Sequence, residues 1–267
     1  MNQTKPSNQP FILTITSGKG GVGKSMCSIN IAELLGRSGY RVALIDADVG
    51  LSNCATFLNE SVNTTIIDWI EGDVKIEDLL LETDWLTLVT TSDKPGAHSF
   101  QPELLMNALD QVTLYLMDSY DFIIIDTPAG AGEITLWALD RADLSTVVLV
   151  DEPAAISDVY RLCKYVFSID PGYRFASIVN FAKYESSAVS THKRFNHILE
   201  YFLNQQIAYL GYLPYSDEIR KTIQNQETLS NGVADPLILS DLEFITMNII
   251  SYANKAQKEF NHTLNQL

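Results

Sequence analysis

Short apolar runs alternate with stretches of helical periodicity along the whole chain. FILTI (11–15), VALID (42–46), LTLVT (86–90), FIIID (122–126), TVVLV (146–150), FASIV (175–179) and IAYLGYL (207–213) are the apolar runs. Most are rich in Val and Ile, as strands covered on both faces of a parallel sheet are. Between them, Met26, Ile29, Ile31, Leu34 and Leu35 form one helical face, and Leu104, Leu105, Ala108, Leu109, Val112 and Leu116 another. Ser157-Asp158 and Ser216-Asp217 read as helix caps, and helical patterns cover 185–206 and 240–265. Alternating elements of this kind predict an α/β fold: a single doubly wound, mostly parallel sheet with helices on both faces. The predicted domain is 11–267, after a polar, disordered lead over 1–10, MNQTKPSNQP. Ligands of open parallel sheets sit beyond the carboxyl ends of the strands, so the polar residues following each run carry the candidate chemistry.

Composition narrows the class. With 46% hydrophobic and 19% charged residues, the 267-residue chain suits a soluble globular domain. No apolar run approaches the roughly 20 residues that span a bilayer. Cys27, Cys54 and Cys163 match no metal-ligand spacing, and an odd set of thiols without an export signal fits a reducing cytoplasm. A net charge of −15 argues against a nucleic-acid partner, whose phosphates need Lys and Arg.

Directly after FILTI stands TSGKGGVGKS, which fits G-x-x-x-x-G-K-[ST] with a strand before it and a helix after. The glycines let backbone N–H groups close around phosphate oxygens, and the helix N-terminus adds its positive dipole end. Gly18, Lys19, Gly20, Gly21, Val22, Gly23, Lys24, Ser25 and Met26 are therefore the candidate nucleotide contacts. Lys24 is placed at the β- and γ-phosphates and Ser25 at Mg²⁺. Asp126 closes FIIID where a metal-associated carboxylate belongs. Of the two aspartates after VALI, Asp46 reads as a turn former and Asp48 as the group that orients water. Ser25, Asp48 and Asp126 make up the candidate metal set, with ATP and Mg²⁺ as cofactors.

The loop has two lysines. With Lys19 beside the first glycine, KGGVGKS resembles the deviant Walker A loop of the MinD/ParA family of dimerising ATPases. DADVGLSN (46–53) and DTPAGAG (126–132) resemble that family's first and second switches. EPAAISDVYRL (152–162), VNFAK and GYLPYSDEIRKTIQNQ follow in family order, so the match runs from about residue 11 to 230. The resemblance implies a P-loop NTPase of the MinD-like kind and an ATP-dependent homodimer. Lys19 then reaches the phosphates of the opposite subunit, much as an arginine finger does. It further implies that Asp48 positions water for slow, partner-stimulated hydrolysis and that Asn53 organises the first switch. Glu152 and Asp158 fall at the dimer contact. Asn180 and the Leu213-Pro214 turn frame adenine; the alternative for Asn180 is a strand-end cap.

Within the family, EPAAISDVYRLCKYV and LGYLPYSDEIRKTIQNQ resemble the MinD-like regulators of flagellum number and placement. Their partners imply a flagellar secretion GTPase or a transcription regulator here, although MNQTKPSNQP carries no DQAxxLR-type element. Those regulators also end in a basic amphipathic helix. Here Ile245, Ile249, Ala253, Ala256, Phe260 and Leu264 recur at helical spacing with only Lys255, Lys258 and His262 for basic character, which favours core packing over a membrane anchor. Transient contact with the inner face of the cell membrane is the alternative to a wholly cytoplasmic protein. Division-site, chromosome-partition and cargo-positioning ATPases are the other readings, together with a metabolic reductase similar to the nitrogenase iron protein. The cluster cysteines of that last class lie elsewhere than Cys27, Cys54 and Cys163.

Overall fold

The computed structural model describes residues 9–49, 53–72, 74–92 and 101–264, with side chains through residue 258. Among the described residues eight strands form one sheet: β1 (Phe11–Thr16), β2 (Val42–Asp46), β3 (Leu81–Glu82), β4 (Thr87–Thr90), β5 (Phe122–Asp126), β6 (Leu144–Leu149), β7 (Phe175–Ala182) and β8 (Ala208–Pro214). Their order is β3-β4-β2-β5-β1-β6-β7-β8, all parallel except the antiparallel edge pair β3-β4. All seven apolar runs are strands. The two-residue β3 escaped the pattern because so short an edge needs no apolar run.

The helices are α1 (Lys24–Arg37), α2 (Asn53–Phe57), α3 (Ile66–Glu71), α4 (Pro102–Met117), α5 (Glu133–Arg141), α6 (Pro153–Ile169), α7 (Glu185–Leu203), α8 (Asp217–Gln224), α9 (Leu229–Gly232) and α10 (Pro236–Leu264). Successive strand residues point to opposite faces. Leu13, Ile15, Leu44, Ile124, Val148 and Ile178 thus meet α1 and α10, while Ile12, Ala43, Ile45, Ile123 and Ile125 meet α4 and α5. Further along that second face, Val147, Leu149 and Val179 pack under α6 and α7.

Several expectations need correction. Pro10 is buried, so the fold starts inside the expected lead, whose first eight residues lie outside the described set. Leu104 is 48% exposed, because neighbouring helical residues diverge by about 100° and Leu105 takes the inward position. Ser157 and Asp158 lie within α6, which starts instead at Pro153, a residue whose missing N–H is no loss at the first helical position. Ser216 does cap α8, accepting from the Glu218 and Ile219 amides. The C-terminal stripe is core: Ile245 and Ile249 are fully buried, and Ala253 and Ala256 pack beside them. The side chains of Phe260, His262 and Leu264 lie outside the described residues. Among those residues, no helix is long and apolar enough to cross a membrane.

Candidate functional site

The loop after β1 lies where the chain changes direction across the sheet, since β1 has β5 on one side and β6 on the other. Gly21 and Gly23 take φ of 77° and 87°, the left-handed region open to glycine. Gly23 is the N-cap of α1 and supplies no side-chain acceptor. The amides of Lys24, Ser25 and Met26, in the first turn, therefore have no intrahelical acceptor and are free to bind an anion. The Met26 side chain itself is in the core, so this residue can contribute only its backbone. Gly18 is required by packing: a Cβ there would lie 2.5 Å from the Val159 amide nitrogen of α6.

Asp126 gathers the cradle's side chains. Ser25 Oγ donates to its Oδ2 at 2.6 Å, while Lys24 Nζ at 3.1 Å and Ser28 Oγ at 2.8 Å donate to its Oδ1. Asp126 is fully buried and Lys24 is 8% exposed. Burial opposes the ammonium charge, yet the adjoining Asp126 carboxylate lifts Lys24 above the ordinary lysine range. Ser28, one helical turn beyond Lys24, carries no motif signal and was missed. A hydroxyl and a carboxylate 2.6 Å apart at the foot of an anion-binding loop form a hard-oxygen set that fits Mg²⁺ bound beside phosphate.

The two aspartates of the first switch stand at different depths, Asp46 buried and Asp48 partly exposed. Asp46 accepts from the Asp48 amide at 3.2 Å, which is the expected turn, but also from the Cys54 amide at 3.0 Å, and it is fully buried. It thereby ties the end of β2 to the start of α2. Asp46, Cys54 and Asp126 have ligand atoms within 4.8 Å of one another; among the described residues Asp48 joins no such group. The carboxylate converging with Asp126 is thus Asp46, held there by parallel register, Asp46 opposite Asp126. Burial and the Asp126 charge push Asp46 up to about 7. Asp48 stands at the rim, with Asn53 Nδ2 at 3.5 Å from its Oδ2. Gly50, Leu51 and Ser52, between them, lie outside the described residues.

Lys19 is set apart from Lys24. Its Nζ donates to Glu152 Oε2 at 2.8 Å, and both side chains are about half exposed. Asp158 pairs with Arg161 and backs Gly18. The Glu152 bond, then its charge, raises the Lys19 pKa.

Asn180 is buried near the end of β7, not capping it, since the strand continues to Ala182. Its Nδ2 donates to the Val22 carbonyl at 2.8 Å, whereas its Oδ1 has no partner. A buried orphan acceptor against the loop is suited to an incoming amine. Leu213 is core, so of the Leu213-Pro214 pair only the backbone and Pro214 can border a ligand. Phe181, at a left-handed φ of 56°, and Tyr215 bring exposed rings together with centroids 6.4 Å apart at the ends of β7 and β8. The sequence offered no sign of this pair.

The ParA family model, described as NUBPL iron-transfer P-loop NTPase, matches residues 9–250. This chain belongs to the ParA family. Among its relatives, Antiactivator FleN of Pseudomonas aeruginosa is 30% identical over 230 residues, 86% of this chain and 82% of that protein. Flagellum site-determining protein YlxH of Helicobacter pylori is 28% identical over 247 residues, 91% and 83% of the two chains. The MinD of Pyrococcus horikoshii, solved complexed with Mg-ADP, shares the fold with a TM-score of 0.76 at 21% identity, covering 92% of this chain and 98% of that one. The MinC:MinD complex of Aquifex aeolicus matches with a TM-score of 0.70 at 25% identity over 90% and 96%. The three thiols do not gather: Cys27 and Cys54 are buried in the core under α1, and Cys163 lies on the opposite face of the sheet.

Proposed function

We propose that this chain is an Mg²⁺-dependent ATPase that works as a dimerisation switch for flagellum number and placement. The observation that carries the switch is the separation of the two lysines. Lys24 is sealed beneath the loop on Asp126, while Lys19 stands half exposed outside its own cradle, bonded to Glu152. A cation so placed is available to a second copy's phosphates once Glu152 releases it. The similarity to FleN and YlxH supports the flagellar assignment.

In this reading the loop amides and Lys24 bind and neutralise the phosphates. Ser25 and Asp126 would hold Mg²⁺, which supplies charge neutralisation at the transferring phosphoryl group. Asp48, steadied by Asn53, orients water, and Asp46 fixes the strand-to-helix step on which Asp48 rides. Asn180 and Pro214 border the base. Catalysis is positioning and charge stabilisation, with no covalent intermediate. A protein partner, a flagellar secretion GTPase or a transcription regulator, stimulates turnover. Membrane contact through the α10 stripe requires that helix to leave the core.

Light scattering after size exclusion tests the switch. Asp48→Ala should accumulate dimer with ATP but not ADP, and Lys19→Ala should bind ATP as a monomer. A Lys19→Ala protein that dimerises like the parent refutes the trans role. Unaltered flagellum number in a deletion strain, with misplaced division sites, would move the assignment to the MinD type.

A further inference from the structure

Asp126 closes β5 between two neighbouring strands. Its backbone lies in register with Ile15 of β1 on one side and Asp46 of β2 on the other, and its carbonyl accepts the Ala47 amide at 2.9 Å. The backbone is thus fixed. The χ2 torsion of an aspartate is broad and roughly two-fold, so the direction in which each carboxylate oxygen faces is set by the groups that donate to it. Four side chains do so. Ser25 Oγ at 2.6 Å and Cys54 Sγ at 3.7 Å approach Oδ2, while Lys24 Nζ at 3.1 Å and Ser28 Oγ at 2.8 Å approach Oδ1.

In the ATPase reading three of the four have another demand on them. Lys24 serves the phosphates, the Ser25 oxygen serves Mg²⁺, and Cys54, a weak thiol donor, rides on α2 of the first switch. Ser28 has no such demand. It is fully buried within α1, so solvent water does not stand in for its hydroxyl, and its place in the helix does not follow the Lys24 side chain. Its single hydrogen has two acceptors in reach, the Lys24 carbonyl at 3.1 Å and Asp126 Oδ1 at 2.8 Å. The carboxylate is nearer and charged, and a charged acceptor makes the stronger bond.

We propose that Ser28 is a positioning residue for metal binding: its hydroxyl holds Asp126 Oδ1, so that Oδ2 stays turned to Ser25 when Lys24 moves from the carboxylate to phosphate. Without that hydroxyl, departure of Lys24 leaves Oδ1 buried and bare, which folded proteins avoid. The carboxylate then turns after Lys24, and Oδ2 leaves the Ser25 hydroxyl beside which Mg²⁺ would sit. This role rests on the Mg²⁺-dependent ATPase reading and deepens it.

Binding of a fluorescent ADP analogue to the full chain, measured in chelator and then across a Mg²⁺ titration, tests the role. Ser28→Ala should bind the analogue in chelator within about twofold of the parent, while its half-saturating Mg²⁺ concentration rises about tenfold or more, the loss typical when a partner of a metal ligand is removed. Ser28→Thr keeps the hydroxyl and should return the half-saturation to the parent value. Thr113→Ala deletes another buried helical hydroxyl, one bonded to the Leu109 carbonyl at 2.7 Å in α4, and should leave the Mg²⁺ half-saturation unchanged. An unchanged half-saturation in Ser28→Ala, an equal loss of affinity with and without Mg²⁺, a Ser28→Thr protein as impaired as Ser28→Ala, or a rise in Thr113→Ala overturns the proposal. A parent whose binding ignores Mg²⁺ fails the metal assignment of Ser25 and Asp126, and the proposal with it. A parent that responds to Mg²⁺ but does not hydrolyse ATP strikes the ATPase reading, while the titration still decides the role of Ser28.

Discussion

Asp46→Asn offers a direct test of the buried carboxylate pair. Asp46 is fully buried, accepts two backbone amides, and is pushed from 3.8 up to about 7 by burial and by Asp126. The folded protein therefore binds this proton more tightly than the unfolded chain. The resulting stabilisation is complete below about pH 3.8, declines as pH rises, and is gone above about 7. At ~1.4 kcal/mol per unit, the stretch from about pH 5 to about pH 7 removes about 3 kcal/mol. Asparagine cannot titrate, keeps one acceptor for the two amides, and turns an NH₂ towards the other, at a cost of about 1–3 kcal/mol. The variant should thus be less stable than the parent near pH 5, and the gap should close or reverse near pH 8. Urea midpoints measured across that range, with a chelator and without nucleotide, give the difference between the two proteins. Taking the difference cancels His192, whose burial lowers its pKa in both. A gap that does not change with pH refutes the reasoning.

Three further perturbations separate binding from folding. Lys24→Met should abolish nucleotide binding and also destabilise the fold by about 3–5 kcal/mol, because it strands a buried carboxylate; adding Asp126→Asn should restore urea resistance and leave binding, followed by a fluorescent ATP analogue, lost. Asn180→Ala deletes the bond to the Val22 carbonyl and the orphan Oδ1, so stability should fall by about 1–2 kcal/mol and discrimination between ATP and GTP should narrow in competition assays. Gly211→Ala places a Cβ 2.7 Å from Ile245 Cγ1 at φ 143° and should lower stability by about 1–3 kcal/mol while nucleotide affinity holds; a matching loss of affinity would contradict an effect confined to the packing of β8 on α10.

The sequence alone determined whatever is encoded over a few neighbouring residues. Seven strands were legible because a buried parallel strand must be apolar throughout, and the loop because a phosphate cradle needs glycines at fixed spacing. The order of the switches was legible for the same reason: each follows its own strand. Tertiary structure decided which of these local pieces meet. Asp46 reads as a turn former until parallel register sets it opposite Asp126, 80 residues away. Ser28 reads as an ordinary helical serine until the same carboxylate, 98 residues on, becomes its partner. The α10 stripe reads as core rather than membrane anchor from its few basic residues, and packing on α1 and β8 buries Ile245 and Ile249, since periodicity records that a face is apolar but not what covers it. Lys19 lies between the two cases: the sequence placed a second lysine in the loop, and the fold turned it outward to Glu152.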